Sequence, residues 1–319
     1  MKSIFASTTH WLKQKINHLV IFLRKITLPG FHGQSLYKVG SLFIQGLFKG
    51  YISDRAASVA FSFFTALFPM LLMLFTLIPY VPIENFQNDI LHYLQTIIPI
   101  PIWSLLEGTI TYIITHKSAG LLSVSFIFAL LFATGGISSL YSAFSQTYHS
   151  YTTAINFIKQ RWYALIILFA TFFLIVILIA VLGFGHKLIF IAMKQDVITY
   201  KFTYYVFQTI RFTLAALVAL CAIALIYFFA LPKPRKFQLF SPGSIVCSFL
   251  MIILTMGFSF FIANFSQYNI LYGSLGTILI LTLYIYLNAL FILIGFEINR
   301  SIVVAEAQKP PTTKAEKRE

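Results

Sequence analysis

The chain has 319 residues, 59% of them hydrophobic and 10% charged, with a formal net charge of +14. Soluble domains carry about a quarter charged residues, so this composition excludes a soluble globular protein and requires most of the apolar surface to face lipid. The positive charge is not a nucleic-acid footprint, because the basic residues occupy the tails and alternate loops, as in a membrane protein oriented by its charge.

Residues 1–55 form a basic arm, with Lys2, Lys13, Lys15, Arg24, Lys25, Lys38, Lys49 and Arg55. Trp11, Leu12, Ile16, Leu19, Val20 and Leu23 recur at helical spacing, and Leu36, Val39, Phe43 and Leu47 repeat the pattern. Basic amphipathic helices of this kind lie in the membrane interface; a solvated arm packed on other loops is the alternative. The start of the chain has neither the short apolar core nor the cleavage site of a signal peptide, so insertion is expected to rest on the first spanning helix.

Residues 56–300 read as a membrane domain of six spanning helices, at about 56–80, 121–141, 162–185, 206–231, 245–265 and 275–297. Each reaches the roughly 20 apolar residues that cross the hydrocarbon. Pro69 lies inside the first and frees a backbone carbonyl. Between the first two spans, Phe86, Ile90, Leu94, Ile97 and then Leu105, Ile110, Ile113 predict two short amphipathic helices, broken at Pro99 and Pro101. With Glu84, Asp89 and Glu107, they form a cap on the outer face. Residues 301–319 read as a disordered cytoplasmic tail, Pro- and charge-rich from Gln308. The fold class is therefore all-α: a six-helix membrane bundle with an N-terminal basic amphipathic region and an outer amphipathic helical cap.

Counting Lys and Arg places 18 on one side and 4 on the other, with Arg211 inside the fourth helix. The rich side is expected to be cytoplasmic, and an even number of spans then puts both termini there. Anionic membrane lipids are the expected partners, with envelope proteins or self-association as further candidates and no nucleic acid.

Few residues can carry chemistry. Asp54, with Ser53, begins the first span, where an acid caps free N–H groups and suits the helix dipole. Glu297 falls at the predicted end of the sixth span, where the dipole disfavours it, so a cation is expected beside it. Arg300 is the local choice and Arg55 the tertiary one, and the alternative is a proton- or headgroup-linked site. Arg211 either snorkels to the headgroups or faces the bundle and binds a phosphate or carboxylate. Asn288, and Asn264 near the end of the fifth span, suit interhelical hydrogen bonds or ligand binding. Gly135, Gly136, Ser138, Ser139, Gly273, Ser274 and Gly276 suit close helix approach. Cys221 and Cys247 lie in apolar runs without neighbouring His or Cys, so no metal site, cofactor or disulfide is expected.

Several segments together carry a resemblance. They are Asp54-Arg55-Ala56-Ala57-Ser58-Val59-Ala60-Phe61 with Leu67-Phe68-Pro69, and Tyr272-Gly273-Ser274-Leu275-Gly276. Leu283-Tyr284-Ile285-Tyr286-Leu287 and Gly295-Phe296-Glu297-Ile298-Asn299 follow, with Leu231-Pro232 and Pro242-Gly243 between. Over about residues 40–302 the chain resembles the YihY/BrkB family of bacterial inner-membrane proteins, whose members commonly have Ala at the position of Phe296. The resemblance implies a six-helix inner-membrane fold. Some members were once labelled ribonuclease BN, others were linked to serum resistance, and envelope lipid transport has been suggested for relatives.

Two functions fit these observations: a transporter or lipid-handling protein of the envelope, with Arg211, Asn288, Asp54 and Glu297 toward substrate, or a non-enzymatic assembly partner. A ribonuclease would need several carboxylates or histidines converging on a metal. The nine acids are dispersed, four on the outer side and three in the tail, so no catalytic residue and no enzyme activity is expected.

Overall fold

The computed structural model describes residues 18, 20–82, 84–97, 100–148, 156–194, 200–230, 237–264 and 268–308. The expectations for Trp11 to Ile16, Leu19, Pro99, Asp196, Leu231-Pro232 and the tail beyond 308 fall outside these residues.

After a short helical run at 20–25, α1 spans Leu36–Lys49 and α2 spans Ile52–Leu77, closed by a 3-10 turn at Ile78–Tyr80. Then come α3 (Phe86–Ile97), α4 (Ile100–Thr115), α5 (Ala119–Ser145), α6 (Phe157–Lys194), α7 (Tyr200–Ala230), α8 (Pro242–Asn264) and α9 (Tyr268–Ala307). Among the described residues there is no strand. Six helices are long and apolar enough to cross a membrane: α2 with its 3-10 turn, α5, and apolar stretches of α6, α7, α8 and α9. The fold is an all-α bundle of a multi-pass membrane protein.

The spans pack around a ring: α2 on α5, α5 on α6, α6 on α7, α7 on α8, α8 on α9, and α9 back on α2. Their shared core gathers at the basic end. Ala56, Val59, Leu140, Phe144, Ala164, Ile167, Tyr227, Cys247, Leu293 and Phe296 form one buried cluster. Phe144 stacks on Phe296 with ring centroids 4.1 Å apart, and the Tyr227 hydroxyl donates to the Ile292 carbonyl at 2.7 Å. Small residues let the backbones meet. A Cβ at Gly295 would run into Cys247 at 2.9 Å, and one at Gly243 would strike Gly295 and Asn299.

Toward the opposite end the packing divides. The α2–α5 pair stays in contact, with Ala129 buried and the buried hydroxyls of Thr76 and Ser125 bonded at 3.0 Å. In α6 no described residue beyond Ile167 is buried, in α7 none before Ile223, and in α8 none after Ser248. In α9, only Gly276 is buried among the described residues before Ala289.

The arm and the end of α9 depart from the sequence reading. α9 does not stop near residue 297 but continues to Ala307, because Ile302, Val304 and Ala305 find Val39, Leu42 and Phe31 to pack against. Residues 301–307 are thus ordered helix, not tail. α1 carries its apolar stripe onto this extension, and Lys38 Nζ donates to the Ala305 carbonyl at 2.8 Å, a cation on the last turn of a helix. Ser35 caps α1 by accepting from the Lys38 N–H. α1 still exposes Ile44, Phe48 and, just past its end, Tyr51, which suits an interfacial position.

The cap consists of α3 and α4. Trp103, Ile110 and Ile114 are buried against Phe75, Ile78, Ile90, Leu91 and Leu94, so it sits on the far end of α2. Pro101 does not break the second cap helix but lies in its first turn, where a missing N–H costs nothing.

Candidate functional site

The buried polar centre lies where α2 begins, α5 ends and α9 passes. α1 and α2 are joined by Gly50 and Tyr51, the latter in the left-handed region at φ 48°. This turn sets Arg55 one helical turn into α2, facing the bundle rather than water, with only 5% of its surface exposed. Its Nη2 donates to Glu297 Oε1 at 2.8 Å and its Nη1 to the Ala143 carbonyl at 2.8 Å. The second contact places a cation on the carbonyl end of α5, where the dipole favours it. Thr147 Oγ1 donates to the other carboxylate oxygen, Oε2, at 2.8 Å.

Glu297 is fully buried, and both of its oxygens are engaged. Because α9 continues to Ala307, Glu297 lies well inside the helix, and the dipole argument for a partner at a helix end does not apply. Burial itself demands the cation: an isolated carboxylate out of water is costly unless paired and hydrogen-bonded. The pair joins residues 242 apart in sequence and clamps α2, α5 and α9 at one level.

Arg300, one turn on, is also buried, but it lines a small cleft with Ser241 and Asn299. Asn299 accepts the Gly243 N–H at 2.9 Å and donates to Ser241 Oγ at 3.0 Å, clasping the start of α8 to α9. Asp54 is exposed in the first turn of α2. Neither Asp54 nor Ser53 occupies the capping position, which is Tyr51 and makes no side-chain cap. The Ser53 hydroxyl instead pairs with that of Tyr286 at 2.9 Å. Arg211 is exposed on the half of α7 where none of the described residues is buried. Asn288 is half-buried and donates to the Tyr284 carbonyl of its own helix at 2.8 Å rather than across helices. The Asn264 side chain lies outside the described set.

The structure thus brings Arg55 and Glu297 together and leaves Asp54, Arg211 and Asn288 apart from them. Sequence reasoning missed Thr147, a loop threonine with no distinguishing pattern. It also missed the Ser241–Asn299 clasp, although Asn299 closes the Gly295–Asn299 signature. Among the described residues no three His, Cys, Asp or Glu side chains converge as a metal site would require.

A family model described as Virulence factor BrkB matches residues 43–319. The chain is similar to the ribonuclease-like protein YfkH of Bacillus subtilis (strain 168), 28% identical over 81% of this chain and 94% of that one. It is also similar to a UPF0761 membrane protein of Pseudoalteromonas translucida (strain TAC 125), 29% identical over 28% of this chain and 30% of that protein. A UPF0761 membrane protein of Xanthomonas axonopodis pv. citri (strain 306) is 38% identical over 19% of this chain and 14% of its own length. No solved structure matches the chain.

Proposed function

The chain belongs to the Virulence factor BrkB family, and from that premise we propose that it is a non-enzymatic lipid-handling or transport protein of the bacterial inner membrane. The basic end, with 18 of the Lys and Arg residues, then faces the cytoplasm with both termini, and the α3–α4 cap faces outward.

One observation carries the reading. Among the described residues, those buried in four of the six spans gather toward the basic end, and beyond it their described residues are, Gly276 aside, not buried, although α8 and α9 still meet there through the Thr255 and Tyr284 hydroxyls at 3.1 Å. A bundle built only to anchor a partner gains nothing by thinning its packing toward one end. One that admits a guest between its helices requires it. A groove of about 520 Å³ opens between α2 and α9, lined by Ala57, Ala60, Phe64, Leu279, Thr282 and Tyr286. Its lining is apolar but for two hydroxyls, which suits an acyl chain. Arg211 is a cation on the far half of α7 and would meet a headgroup phosphate. Arg55 and Glu297, bonded to each other, to the Ala143 carbonyl and to Thr147, hold the closed end together and do not contact the guest.

The name ribonuclease-like belongs to YfkH; phosphodiester cleavage by metal needs converging carboxylates or histidines, and the geometry favours lipid instead. The test is reconstitution into liposomes carrying a labelled anionic phospholipid, following its passage between leaflets. The expected result is passage above empty liposomes, reduced roughly tenfold in Arg211→Ala, as for loss of one charge-assisted hydrogen bond. Passage equal to empty liposomes would overturn the proposal.

A further inference from the structure

Where α1 and the loop before it meet the start of α8, two hollows adjoin, with Gly30 and Pro242 lining both. Gly30 is at φ +84°, and an added Cβ would meet Pro242 Cγ at 2.8 Å, so only glycine lets the loop close against α8. The first hollow is a cleft of about 80 Å³ whose lining includes His32, Gln238, Ser241, Asn299, Arg300 and Tyr227. Among the described residues its lining holds no carboxylate, and Arg300, only 8% exposed, is its guanidinium. The Ser241–Asn299 clasp fixes the same wall.

The second hollow is a groove of about 650 Å³ lined almost wholly by apolar side chains, among them Leu28, Phe43, Phe240 and Ile245. Phe240 is 67% exposed beside it. Ile245 and Val246 belong to the first turns of a membrane span, so the groove opens at the membrane surface. A cationic cleft beside an open apolar groove at that level matches the two parts of one molecule, and neither water nor a soluble anion would cover both.

We propose that the two hollows form one seat for a glycerophospholipid, with its phosphate in the Arg300 cleft and an acyl chain in the groove beside α1. The α8 N-terminus adds its dipole to the phosphate side. The seat rests on the lipid-handling reading for its purpose, and on the two adjoining hollows for its existence.

Native mass spectrometry of the full chain in detergent tests it, with phosphatidylglycerol, diacylglycerol of the same chains, and glycerol 3-phosphate as probes. Phosphatidylglycerol is expected to be retained, and each half-molecule at least roughly tenfold less, a difference of about 1.4 kcal/mol. Gly40 lines the groove, and a Cβ added there meets nothing within 4 Å. Gly40→Leu should therefore fill the groove, keep the unfolding midpoint, and lower phosphatidylglycerol retention roughly tenfold. Arg300→Gln should lower it likewise. A folded Gly40→Leu that retains the lipid as the parent does would overturn the seat. Diacylglycerol held as well as phosphatidylglycerol would do the same, and so would glycerol 3-phosphate displacing the lipid at equal concentration, which would mark a site for free phosphate. The two proposals separate cleanly. Lipid held in the seat without passage in liposomes overturns the lipid-handling reading alone, and passage in liposomes by a parent chain that retains no phosphatidylglycerol overturns the seat alone.

Discussion

The α2–α5 pair and the other four spans have similar apolar content, yet they pack differently. α2 and α5 touch at both ends, from Val59 and Leu140 in the shared core to the Thr76–Ser125 hydrogen bond beneath the cap. Among the described residues, the buried core that α6, α7, α8 and α9 share lies near the basic end, and beyond it α8 and α9 meet through Phe258 and Tyr284, ring centroids 4.9 Å apart. In water such unpacked apolar halves would collapse together. In lipid there is no hydrophobic drive between helices, so contact persists only where small residues, hydrogen bonds or ion pairs hold it. The basic end has all three: Gly243 against Gly295, the Ser241–Asn299 clasp, and the Arg55–Glu297 pair.

Substitutions can break that comparison, read as the unfolding midpoint of the chain in detergent by size exclusion. The largest loss is expected from Glu297→Ala, which leaves Arg55 buried without its counter-charge, at about 3–5 kcal/mol. Replacing both Arg55 and Glu297 by Met should recover most of that loss, and no recovery would contradict a purely structural pair. Gly295→Ala forces a methyl into Cys247 and the facing backbone and should cost about 1–3 kcal/mol. Ser125→Ala, at the far end of the tightly packed pair, removes one buried hydrogen bond at about 0.5–1.5 kcal/mol. Phe260→Ala, on the loose half of α8 at 73% exposure, should stay within about 0.5 kcal/mol. An equal cost for Gly295→Ala and Phe260→Ala would erase the distinction between the two regions.

The six spans were legible because apolar length is a local property, and so was the amphipathic character of α1, α3 and α4. What α1 packs on was not legible. Its partner is the end of α9, and Ser301–Ala307 lies beyond a buried glutamate that sequence reading takes as the close of a span. The same glutamate stood between two cations in the sequence. Only the fold brings Arg55 to its oxygens, because the choice depends on how two helix segments 242 residues apart meet. Thr147 could not be singled out, since a threonine in a polar loop has no period or spacing to betray it. The gathering of the described buried residues of four spans toward one end has no sequence signature either, because apolar residues that face lipid and those that face a neighbouring helix look alike.

Backbone amide exchange of the full chain in lipid nanodiscs tests the packing contrast most directly, since amides in segments with few packed contacts open at lower free energy. The account predicts prolonged protection at 223–230 and 289–301 and faster exchange at 209–218 and 278–285. Equal protection of the two sets would contradict a bundle closed at its basic end and loose at the other.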